Sequence, residues 1–382
     1  MSLRSKLRAG FNARLLSSPA IRGWNRYTIN LLTGLAELDV DLFLYSNEPL
    51  DETHLRNLPP GGYRLRVSPP MRLPMWQEYW LPRQCAADAL DVFHTPYHFG
   101  LPRGSPCACV MTLHDAVGAA QGPLDILRSP RAWAYEAIAR KRADHFITVS
   151  GYSKADLSRI WRISPDDITV TYGAAAPIFH QPMAGSGAAM RRKHRLPEPY
   201  VLYYGGWEER KNIPFLVRAF AAARLENVIL LLAGENSSQR GAVEEAVRAA
   251  GLERHVRLLG AVDDQDLPAL CAEALCFVYP SSHEGFGLQI CEALAVGCPT
   301  LAARATALPE VLGEGGVTFS LEDTSELTQL LKRMTHDSEW RTGLVEKAKI
   351  RSRSFSWRLA AEKTLNEAYA RAMLARTSGG TR

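Results

Sequence analysis

One segment, residues 274–300, constrains the fold of this chain more than any other. It begins with an apolar run over 274–279 that is typical of a buried strand, breaks at the Gly-X-Gly sequence of 285–287, and resumes with apolar residues at helical spacing. Unpaired N–H groups at a helix start, beside glycines that let a ligand approach the backbone, form an anion-binding site. Glu284 lies just before this helix and Glu292 within it. The segment therefore predicts a site for a ligand that carries both phosphate and hydroxyl groups, as a nucleotide sugar does.

A second glycine loop begins with Gly205 and Gly206, directly after another predicted strand. Two successive glycines let the backbone approach a ligand closely. Arg210 can bind phosphate oxygens through two parallel hydrogen bonds, and Lys211 adds a compact positive charge. Asn212 is predicted to cap the next helix with its side chain. The loop therefore predicts a second set of phosphate-binding groups.

Strand-like and helix-like segments alternate along both halves of the chain, which predicts βαβ units and parallel sheets. The predicted strands of the first half are residues 10–15, 40–45, 63–67, 91–94, 108–113, 145–149 and 168–170. Those of the second half are residues 200–204, 228–233, 256–259, 275–279, 299–302 and 316–319. We therefore expect an α/β protein of two Rossmann-like, doubly wound domains, with the ligand in a cleft at the carboxyl ends of both sheets.

The predicted domain boundaries follow from a change of composition. Residues 176–199 are rich in Ala, Gly, Pro and charged residues and lack a sustained apolar period, so they are predicted to form a linker. The N-terminal domain then covers residues 1–175 and the C-terminal domain residues 200–355. Residues 356–382 are predicted to form a final amphipathic helix and a polar tail.

The composition is that of an ordinary soluble protein, and 382 residues suit two α/β domains. The seven cysteines form no Cys-X-X-Cys pair and several lie in apolar runs, which favours a reducing compartment and argues against zinc. The sequence has no signal-peptide core and no bilayer-spanning window, so we expect a cytoplasmic protein. The net charge is +5, and no recognisable module interleaves basic with aromatic residues, so nucleic-acid binding is not expected.

Two short basic clusters, residues 140–142 and 191–195, leave their role open. They can be a solvated helix end and a charged linker. Alternatively, they can attract an anionic membrane face or a pyrophosphate-linked lipid acceptor. The second interpretation predicts peripheral association with the inner face of a membrane.

The segment over 274–300 resembles the signature of glycosyltransferase family 4, in which seven residues separate two glutamates. The matching residues are Glu284-Gly285-Phe286-Gly287-Leu288, Glu292 and Gly297-X-Pro299. The second glycine loop resembles the Gly-Gly…Arg-Lys-Asn segment of the same family. Members of this family, the group 1 glycosyltransferases, are retaining enzymes with the two-domain GT-B fold. The resemblance implies that fold and a last helix that crosses back to the first domain.

The resemblance also implies roles for individual residues. Glu284 lies near the donor sugar, where it binds the sugar and stabilises the transition state, and a role in proton handling stays open. Glu292 binds the ribose hydroxyls. Arg210 and Lys211 hold the donor diphosphate, and further donor contacts come from Gly205, Gly206, Gly285, Phe286, Gly287 and Leu288. Because these cations and a helix terminus carry the charge, we expect no metal ion and no cofactor besides the nucleotide-sugar co-substrate.

In the first half of the chain, His114 and Asp115 end a predicted strand and resemble a Thr-X-His-Asp segment of the family. The resemblance implies that His114 bonds a hydroxyl of the donor sugar or handles a proton, and that Asp115 orients the sugar ring. His94 lies in another family-like segment and is predicted, with Tyr97, on the acceptor side. Gly23 is predicted in the first glycine loop, where family members often carry two glycines and this chain carries one.

The resemblance implies a retaining hexosyltransferase, with mannose one candidate sugar. It would move the hexose from a nucleotide diphosphate sugar to a glycan or lipid-linked glycan, as in the synthesis of cell-surface polysaccharides. Two alternatives stay open: a GT-B-like nucleotide-sugar 2-epimerase, and a non-catalytic nucleotide-sugar-binding partner subunit. Turnover of a sugar nucleotide without an acceptor would favour the first, and donor binding without turnover would favour the second.

Overall fold

The computed structural model describes residues 6–19, 23–116, 137–138, 140–181, 185–196, 199–234 and 239–378. The chain divides into two compact units. The first combines residues 1–173 with residues 356–382, and the second contains residues 174–355. Each unit is built on its own sheet of parallel strands.

The sheet of the first unit has seven strands in the order β3-β2-β1-β4-β5-β6-β7. Its strands are β1 Leu7–Asn12, β2 Val40–Ser46, β3 Tyr63–Val67, β4 Val92–Thr95, β5 Ala108–Thr112, β6 His145–Thr148 and β7 Ile168–Val170. β4 and β5 are buried along their whole length, as expected for parallel strands covered on both faces. The strand order reverses between β1 and β4, which is the switch point of a doubly wound sheet.

The sheet of the second unit has six strands in the order β10-β9-β8-β11-β12-β13. Its strands are β8 Tyr200–Tyr204, β9 Ile229–Ala233, β10 Val256–Gly260, β11 Cys276–Tyr279, β12 Thr300–Ala303 and β13 Val317–Phe319. Here the order reverses between β8 and β11. Every strand of both sheets overlaps a predicted strand, and the prediction of a doubly wound α/β protein is confirmed.

The helices described in the first unit before its last segment are α1 Gly23–Ala36, α2 Glu52–Leu55, α3 Leu73–Met75, α4 Leu81–Ala87 and α5 Gly151–Trp161. α3 and α4 are joined by a π-helical turn, Trp76–Trp80. Trp76 is fully buried and stacks on Trp80 with ring centroids 6.3 Å apart, so core packing anchors this run. The predicted helix over 131–142 lies largely outside the described residues.

The helices described in the second unit are α6 Ser186–His194, α7 Ile213–Ala223, α8 Arg240–Ala249, α9 Leu267–Ala272, α10 Leu288–Ala295, α11 Leu308–Leu312, α12 Ser325–His336 and α13 Ser338–Ser352. α7 follows the loop after β8, and α10 follows the loop after β11. In the part of the chain that the structure describes, no helix has the length and apolarity needed to cross a bilayer.

The segment predicted as a linker, residues 176–199, instead contributes α6 to the second unit. Ion pairs join this helix to the residues that flank α9. Arg191 Nε lies 2.9 Å from Glu273 Oε2, and Lys193 Nζ lies 2.6 Å from Asp266 Oδ2. A helix held by ion pairs lacks the apolar period from which helices are predicted, which is why the sequence indicated a linker. These two residues of the basic cluster are therefore bound to carboxylates of the same unit.

The last helical run belongs to the first unit. It consists of α14 Trp357–Lys363, a π-helical turn Thr364–Tyr369 and α15 Ala370–Ser378. α14 lies so close to α1 that a Cβ on Gly34 would stand 2.5 Å from the carbonyl oxygen of Trp357. The chain thus returns to its first unit, as the resemblance implied.

Candidate active site

The second unit brings together the two loops that the sequence predicts to bind phosphate. β8 and β11 pair directly, with Cys276 opposite Val201, and the two loops leave from the carboxyl ends of these strands. In doubly wound sheets, ligands bind outside the carboxyl ends of the strands where the strand order reverses. The fold therefore predicts a ligand site between the loops over 205–212 and 280–287.

The carboxylate of Glu284 is the centre of this site. Its Oε1 accepts hydrogen bonds from Lys211 Nζ at 2.6 Å and from Arg210 Nη1 at 2.7 Å. Ser281 Oγ donates to the same oxygen at 2.7 Å, and the Tyr279 hydroxyl lies 3.1 Å from it. Glu284 is only 8% exposed and Lys211 only 4%, so this ion pair is largely withdrawn from water. The site thus holds its charges in a compact, hydrogen-bonded cluster.

The protonation state of Glu284 follows from its neighbours. Burial alone would raise the pKa of this carboxyl, but the charges of Lys211 and Arg210 and the hydrogen bonds from Lys211 and Ser281 lower it to about 2. Glu284 is therefore an anion throughout the neutral pH range. In this arrangement it can accept hydrogen bonds but cannot supply a proton.

Backbone contacts hold the two loops together. The carbonyl oxygen of Arg210 accepts a hydrogen bond from the Ser282 N–H at 2.8 Å, and Ser281 Oγ lies 3.1 Å from it. The Arg210 guanidinium also donates to the carbonyl oxygen of His283 at 3.0 Å. On the other side, the N–H of Glu284 donates to Thr306 Oγ1 at 3.0 Å. These bonds fix the glutamate and its cations on a rigid frame rather than on mobile side chains alone.

Glycines shape the rim of the site. Gly205 has φ +145° and Gly287 has φ +97°, both in the region that favours glycine. A Cβ on Gly234 would stand 1.8 Å from the carbonyl oxygen of Gly205, so the loop after β9 also requires a glycine. Gly287 is the N-cap residue of α10 and has no side chain with which to cap this helix. The start of α10 therefore presents backbone N–H groups of the kind that bind anions.

Residues 285–288 lie in the turn from β11 into α10, as the sequence predicts. The ring of Phe286 is buried and packs edge-to-face on Phe355, with ring centroids 5.9 Å apart. Its side chain therefore belongs to the core of the second unit. The contribution of this turn to a ligand site comes from its backbone, which is the part that the glycines leave accessible.

Glu292 lies on the second turn of α10. It is buried, and its Oε2 accepts a hydrogen bond from the Tyr204 hydroxyl at 2.7 Å. The same hydroxyl lies 3.3 Å from the carbonyl oxygen of Gln289. A tyrosine at the end of β8 thus orients the second glutamate of the signature.

Asn212 does not cap α7 in the predicted way. It occupies the N-cap position, but its backbone is left-handed with φ +53°, and its side chain accepts no hydrogen bond from the helix. The chain makes a 3-10 turn, Glu209–Lys211, immediately before it. An asparagine tolerates the left-handed conformation that links this turn to α7, so it serves the turn rather than the cap.

In the first unit, His114 follows β5 and is buried. Its Nε2 lies 3.0 Å from the carbonyl oxygen of Pro96. A carbonyl oxygen only accepts, so Nε2 carries the proton and Nδ1 is an acceptor. Burial lowers the pKa of His114 to about 4, so the ring is neutral near pH 7. Trp24 stacks on this ring at 6.2 Å, and Asp115, the next residue, is partly buried.

His94 and Tyr97, predicted on the acceptor side, lie inside the first unit. His94 bonds the Tyr369 hydroxyl through Nδ1 at 3.0 Å and Thr112 Oγ1 through Nε2 at 2.7 Å. The Tyr97 hydroxyl donates to Asn12 Oδ1. Both side chains are at most 1% exposed, so they bind the last helical run and the end of β1 rather than solvent. Polar residues at a strand end suggest a rim when only the sequence is known, because the sequence does not show the helix that covers them.

Gly23 is the first described residue of α1 and is exposed, with no atom within 4 Å of the position that a Cβ would take. The described structure therefore gives no steric reason for a glycine there. The sequence also missed residues that support the site in the second unit. These residues are Tyr204, Tyr279, Ser281, Gln289 and Thr306, and the hydroxyl-bearing ones among them lie at or beyond strand ends.

Two family models match this chain. Glycosyl transferases group 1 matches residues 188–351, and Glycosyltransferase Family 4 matches residues 21–175. The chain is also 30% identical over 282 residues to the O-antigen chain mannosyltransferase B of Escherichia coli, covering 72% of this chain and 73% of that protein. This chain belongs to glycosyltransferase family 4. The family is the one that the glutamate signature indicated, and the chain is a glycosyltransferase.

Two further relatives carry the name mannosyltransferase. It is 29% identical over 230 residues to the MMP alpha-(1->4)-mannosyltransferase of Mycolicibacterium hassiacum, covering 59% of this chain and 54% of that one. It matches the serotype-specific mannosyltransferase WbdA of Escherichia coli at 32% identity, but over only 21% of that protein.

Solved structures identify the fold. HepE of Anabaena in complex with UDP and glucose superposes with a TM-score of 0.76 at 17% identity, over 95% of this chain and all of that one. Sucrose-phosphate synthase of Thermosynechococcus elongatus gives a TM-score of 0.75 at 22% identity, over 97% of this chain. The family 4 glycosyltransferase described here has the GT-B fold, as its signature indicated.

Proposed function

We propose that this glycosyltransferase moves a mannosyl residue from a nucleotide diphosphate sugar to a glycan or lipid-linked glycan, with retention of anomeric configuration. The observation that carries the proposal is the buried cluster of Arg210, Lys211 and Glu284 at the carboxyl edge of the second sheet. Relatives named mannosyltransferases, among them the O-antigen chain mannosyltransferase B, support mannose as the sugar and a polysaccharide as the product.

Departure of the nucleoside diphosphate is the step that this cluster is built to assist. Negative charge grows on the diphosphate as the glycosidic bond breaks, and positioned cations stabilise it. Arg210 and Lys211 lie beside the N-terminus of α10, which favours the same charge. When a diphosphate binds, these two cations gain a second anionic partner besides Glu284. This charge supply supports a reaction that needs no metal ion.

The two glutamates take different parts in this proposal. Glu284 is anionic and bound by two cations and a serine, which makes it a poor nucleophile and a poor acid. It therefore binds sugar hydroxyls and stabilises the positive charge that develops on the sugar ring. Glu292, whose Oε2 accepts a hydrogen bond from the Tyr204 hydroxyl, is proposed to bind the ribose hydroxyls of the nucleotide. In the first unit, neutral His114 and Asp115 are proposed to contact the donor sugar.

The acceptor and the place of the reaction are proposed on chemical grounds. An extended glycan fits the O-antigen chain named for one relative, and a lipid-linked glycan is the proposed alternative. Basic residues such as Lys141 favour peripheral attraction to an anionic cytoplasmic membrane face. Arg191 and Lys193 of α6 are bound to carboxylates and contribute less to such attraction.

A donor screen tests the proposal. The full chain is incubated with GDP-mannose, UDP-glucose, ADP-glucose and dTDP-glucose, with oligomannose or lipid-extract acceptors, in magnesium or in EDTA. We expect mannosyl transfer from GDP-mannose in both conditions, and proton NMR of the product should show the donor's anomeric configuration. Product from glucose donors alone would overturn the sugar assignment. Inverted product would overturn retention, and a change of the sugar nucleotide without any acceptor would indicate an epimerase.

A further inference from the structure

Gln289 lies inside the site, but it is not among the donor-binding residues predicted from the two glycine loops. It is the second residue of α10 and half-buried. Its Oε1 lies 3.2 Å from the Tyr279 hydroxyl, within hydrogen-bonding distance. Its Nε2 stands 3.5 Å from the position that a Cβ on Gly205 would take. Within the described part of the unit, no group accepts a hydrogen bond from Nε2.

Tyr279 determines how this carboxamide is turned. Its ring is fully buried and stacks on Tyr203 with centroids 6.3 Å apart. Lys211 Nζ donates to the Tyr279 oxygen at 2.7 Å, so the tyrosine acts toward its other neighbours as a donor. Its single O–H can point to Gln289 Oε1 or to Glu284 Oε1, both of which only accept. The Gln289 oxygen therefore faces the protein interior, and the amino group faces the space above Gly205.

The groups around that space share one preference. Arg210 and Lys211 are cations, the start of α10 presents backbone N–H groups, and Gln289 Nε2 adds a neutral donor. An anion with several oxygens satisfies such a set of donors better than a sugar hydroxyl does, because it accepts at every oxygen. Glu284, the acid nearest to the two cations, has Oε1 occupied by donors from Arg210, Lys211 and Ser281.

We propose that Gln289 is a further donor-binding residue, whose side-chain amide donates to a diphosphate oxygen of the sugar nucleotide, and that Tyr279 is the positioning residue that orients it. This inference rests on the proposed function, because it needs a nucleotide diphosphate in the site. The proposal adds the side-chain amide of Gln289 to the backbone N–H groups and the two cations that are proposed to bind the diphosphate.

The test is calorimetric titration of the full chain with GDP and with UDP. Gln289→Leu keeps the size of the side chain and removes the amide. For the nucleoside diphosphate that the wild type prefers, we expect the Gln289→Leu protein to have a Kd about ten-fold higher. This is the effect of losing one hydrogen bond to a charged group. Gln289→Glu places a carboxylate beside the phosphate, so its Kd should rise further. In turnover, Gln289→Leu should raise the donor KM and leave kcat within about two-fold, because the contact exists in the ground state and the transition state alike.

Tyr279→Phe tests the positioning role. It should raise the same Kd, and in its background the further change Gln289→Leu should matter less than about three-fold, since the amide has already lost its orientation. Tyr200→Phe is the matched control. Tyr200 is also a buried tyrosine of this sheet, but it lies at the amino end of β8, away from the site. Its hydroxyl donates to the carbonyl oxygen of Leu270. It should keep the wild-type Kd.

Different results overturn different parts of the argument. If the wild type binds a nucleoside diphosphate and Gln289→Leu binds it equally well, the role of Gln289 is wrong and the proposed function stands. If both single changes raise the Kd but their effects multiply in full, Tyr279 does not act through Gln289. If the wild type binds no sugar nucleotide and transfers no sugar, the proposed function and this inference fall together.

Discussion

Lys211 Nζ lies 2.6 Å from Glu284 Oε1, and the two side chains are 6% and 11% exposed. The residues are 73 positions apart and come from different loops of the second unit. When one member of such a buried lysine–glutamate pair is removed, the other is left as an uncompensated charge in the protein interior, which destabilises the fold. The proposed donor site of this glycosyltransferase is therefore also an element of the stability of its second unit.

The first prediction concerns the loss of Lys211. Lys211→Met keeps the length of the side chain but leaves Glu284 with Arg210 as its remaining cation among the residues that the structure describes. We expect a loss of about 3 kcal/mol in the free energy of unfolding, at the lower end for a broken buried pair because Arg210 remains. We also expect donor binding to fall below detection. Chemical denaturation and calorimetric titration measure the two effects.

Lys332→Met is the control for that substitution. Lys332 is exposed on α12, so the same change there should alter neither stability nor donor binding beyond about 0.5 kcal/mol. A Lys211→Met protein that is as stable as the control would mean that Glu284 is not held by a buried charge. Normal donor binding by that protein would remove Lys211 from the diphosphate site.

The second prediction concerns acid. The pKa of Glu284 falls from 4.5 to about 2 in the folded chain, against burial, because two cations and a serine favour the carboxylate. A lowered carboxyl pKa contributes stability that is full above pH 4.5 and is lost as the pH falls toward 2. From pH 6 to pH 3 the wild type should lose about 2 kcal/mol through this group. Glu284→Gln does not titrate and should lack this part of the loss.

The measurement is the difference in unfolding free energy between the wild type and Glu284→Gln, taken by urea denaturation from pH 6 to pH 3. The difference should shrink steadily as the pH falls. Glu253→Gln, an exposed change in the same unit, controls for the chemical change itself. A difference that stays constant over this range would show that the carboxyl of Glu284 is not held ionised by its neighbours.

Much of the fold could be predicted from the sequence, because both sheets are made of short apolar runs between glycines and polar turns. β3, β7 and β8 match their predicted bounds. The first strand was placed too late, at 10–15 instead of Leu7–Asn12. The charged Arg8 hid its beginning, although the guanidinium of Arg8 packs 4.9 Å from the centroid of the Phe43 ring and fits an extended strand well.

The site was predictable in its residues but not in its contacts. Glycines and charged residues at strand ends indicated Arg210, Lys211 and Glu284, since few structural needs place them there. That the two cations bind Glu284 itself depends on the pairing of β8 with β11, which no local pattern reveals. The tyrosines at the ends of these strands were predicted only as apolar strand residues. Their hydroxyls became meaningful once the structure showed what lies within 3 Å of them.

The third prediction concerns His94 in the first unit. Burial, together with the nearby His114, lowers its pKa from 6.5 to about 3, so the folded ring stays neutral where an unfolded chain would take up a proton. The contribution of His94 to stability is therefore full above pH 6.5 and falls as the pH drops below it. Between pH 6.5 and pH 4.5 the loss should be about 2 kcal/mol. His94→Gln should show a weaker fall of melting temperature over this range.

His336→Gln, at an exposed position of α12, is the control and should follow the wild type at every pH. At pH 7 the His94→Gln protein should be less stable than the wild type, because glutamine cannot bond both the Tyr369 hydroxyl and Thr112 as the imidazole does. If the melting temperatures of the wild type and of His94→Gln fall equally from pH 6.5 to pH 4.5, the assignment of a neutral buried ring is wrong.

The fourth prediction concerns the docking of the last helical run on α1. A methyl group at Gly34 would stand 2.5 Å from the carbonyl oxygen and 2.9 Å from the carbonyl carbon of Trp357, both of which are backbone atoms that cannot rotate away. Gly34→Ala should therefore push α14 from α1 and cost about 2 kcal/mol, as overpacking does, although alanine is the better helix former. Hydrogen exchange should become faster along Trp357–Ser378.

Gly343→Ala provides the contrast, because Gly343 lies in α13 with nothing within 4 Å of its Cβ position. There the helix preference acts alone, and the change should stabilise the chain by about 0.5–1 kcal/mol. If the hydrogen-exchange rates along the last helical run are unchanged in Gly34→Ala, this run does not pack closely against α1.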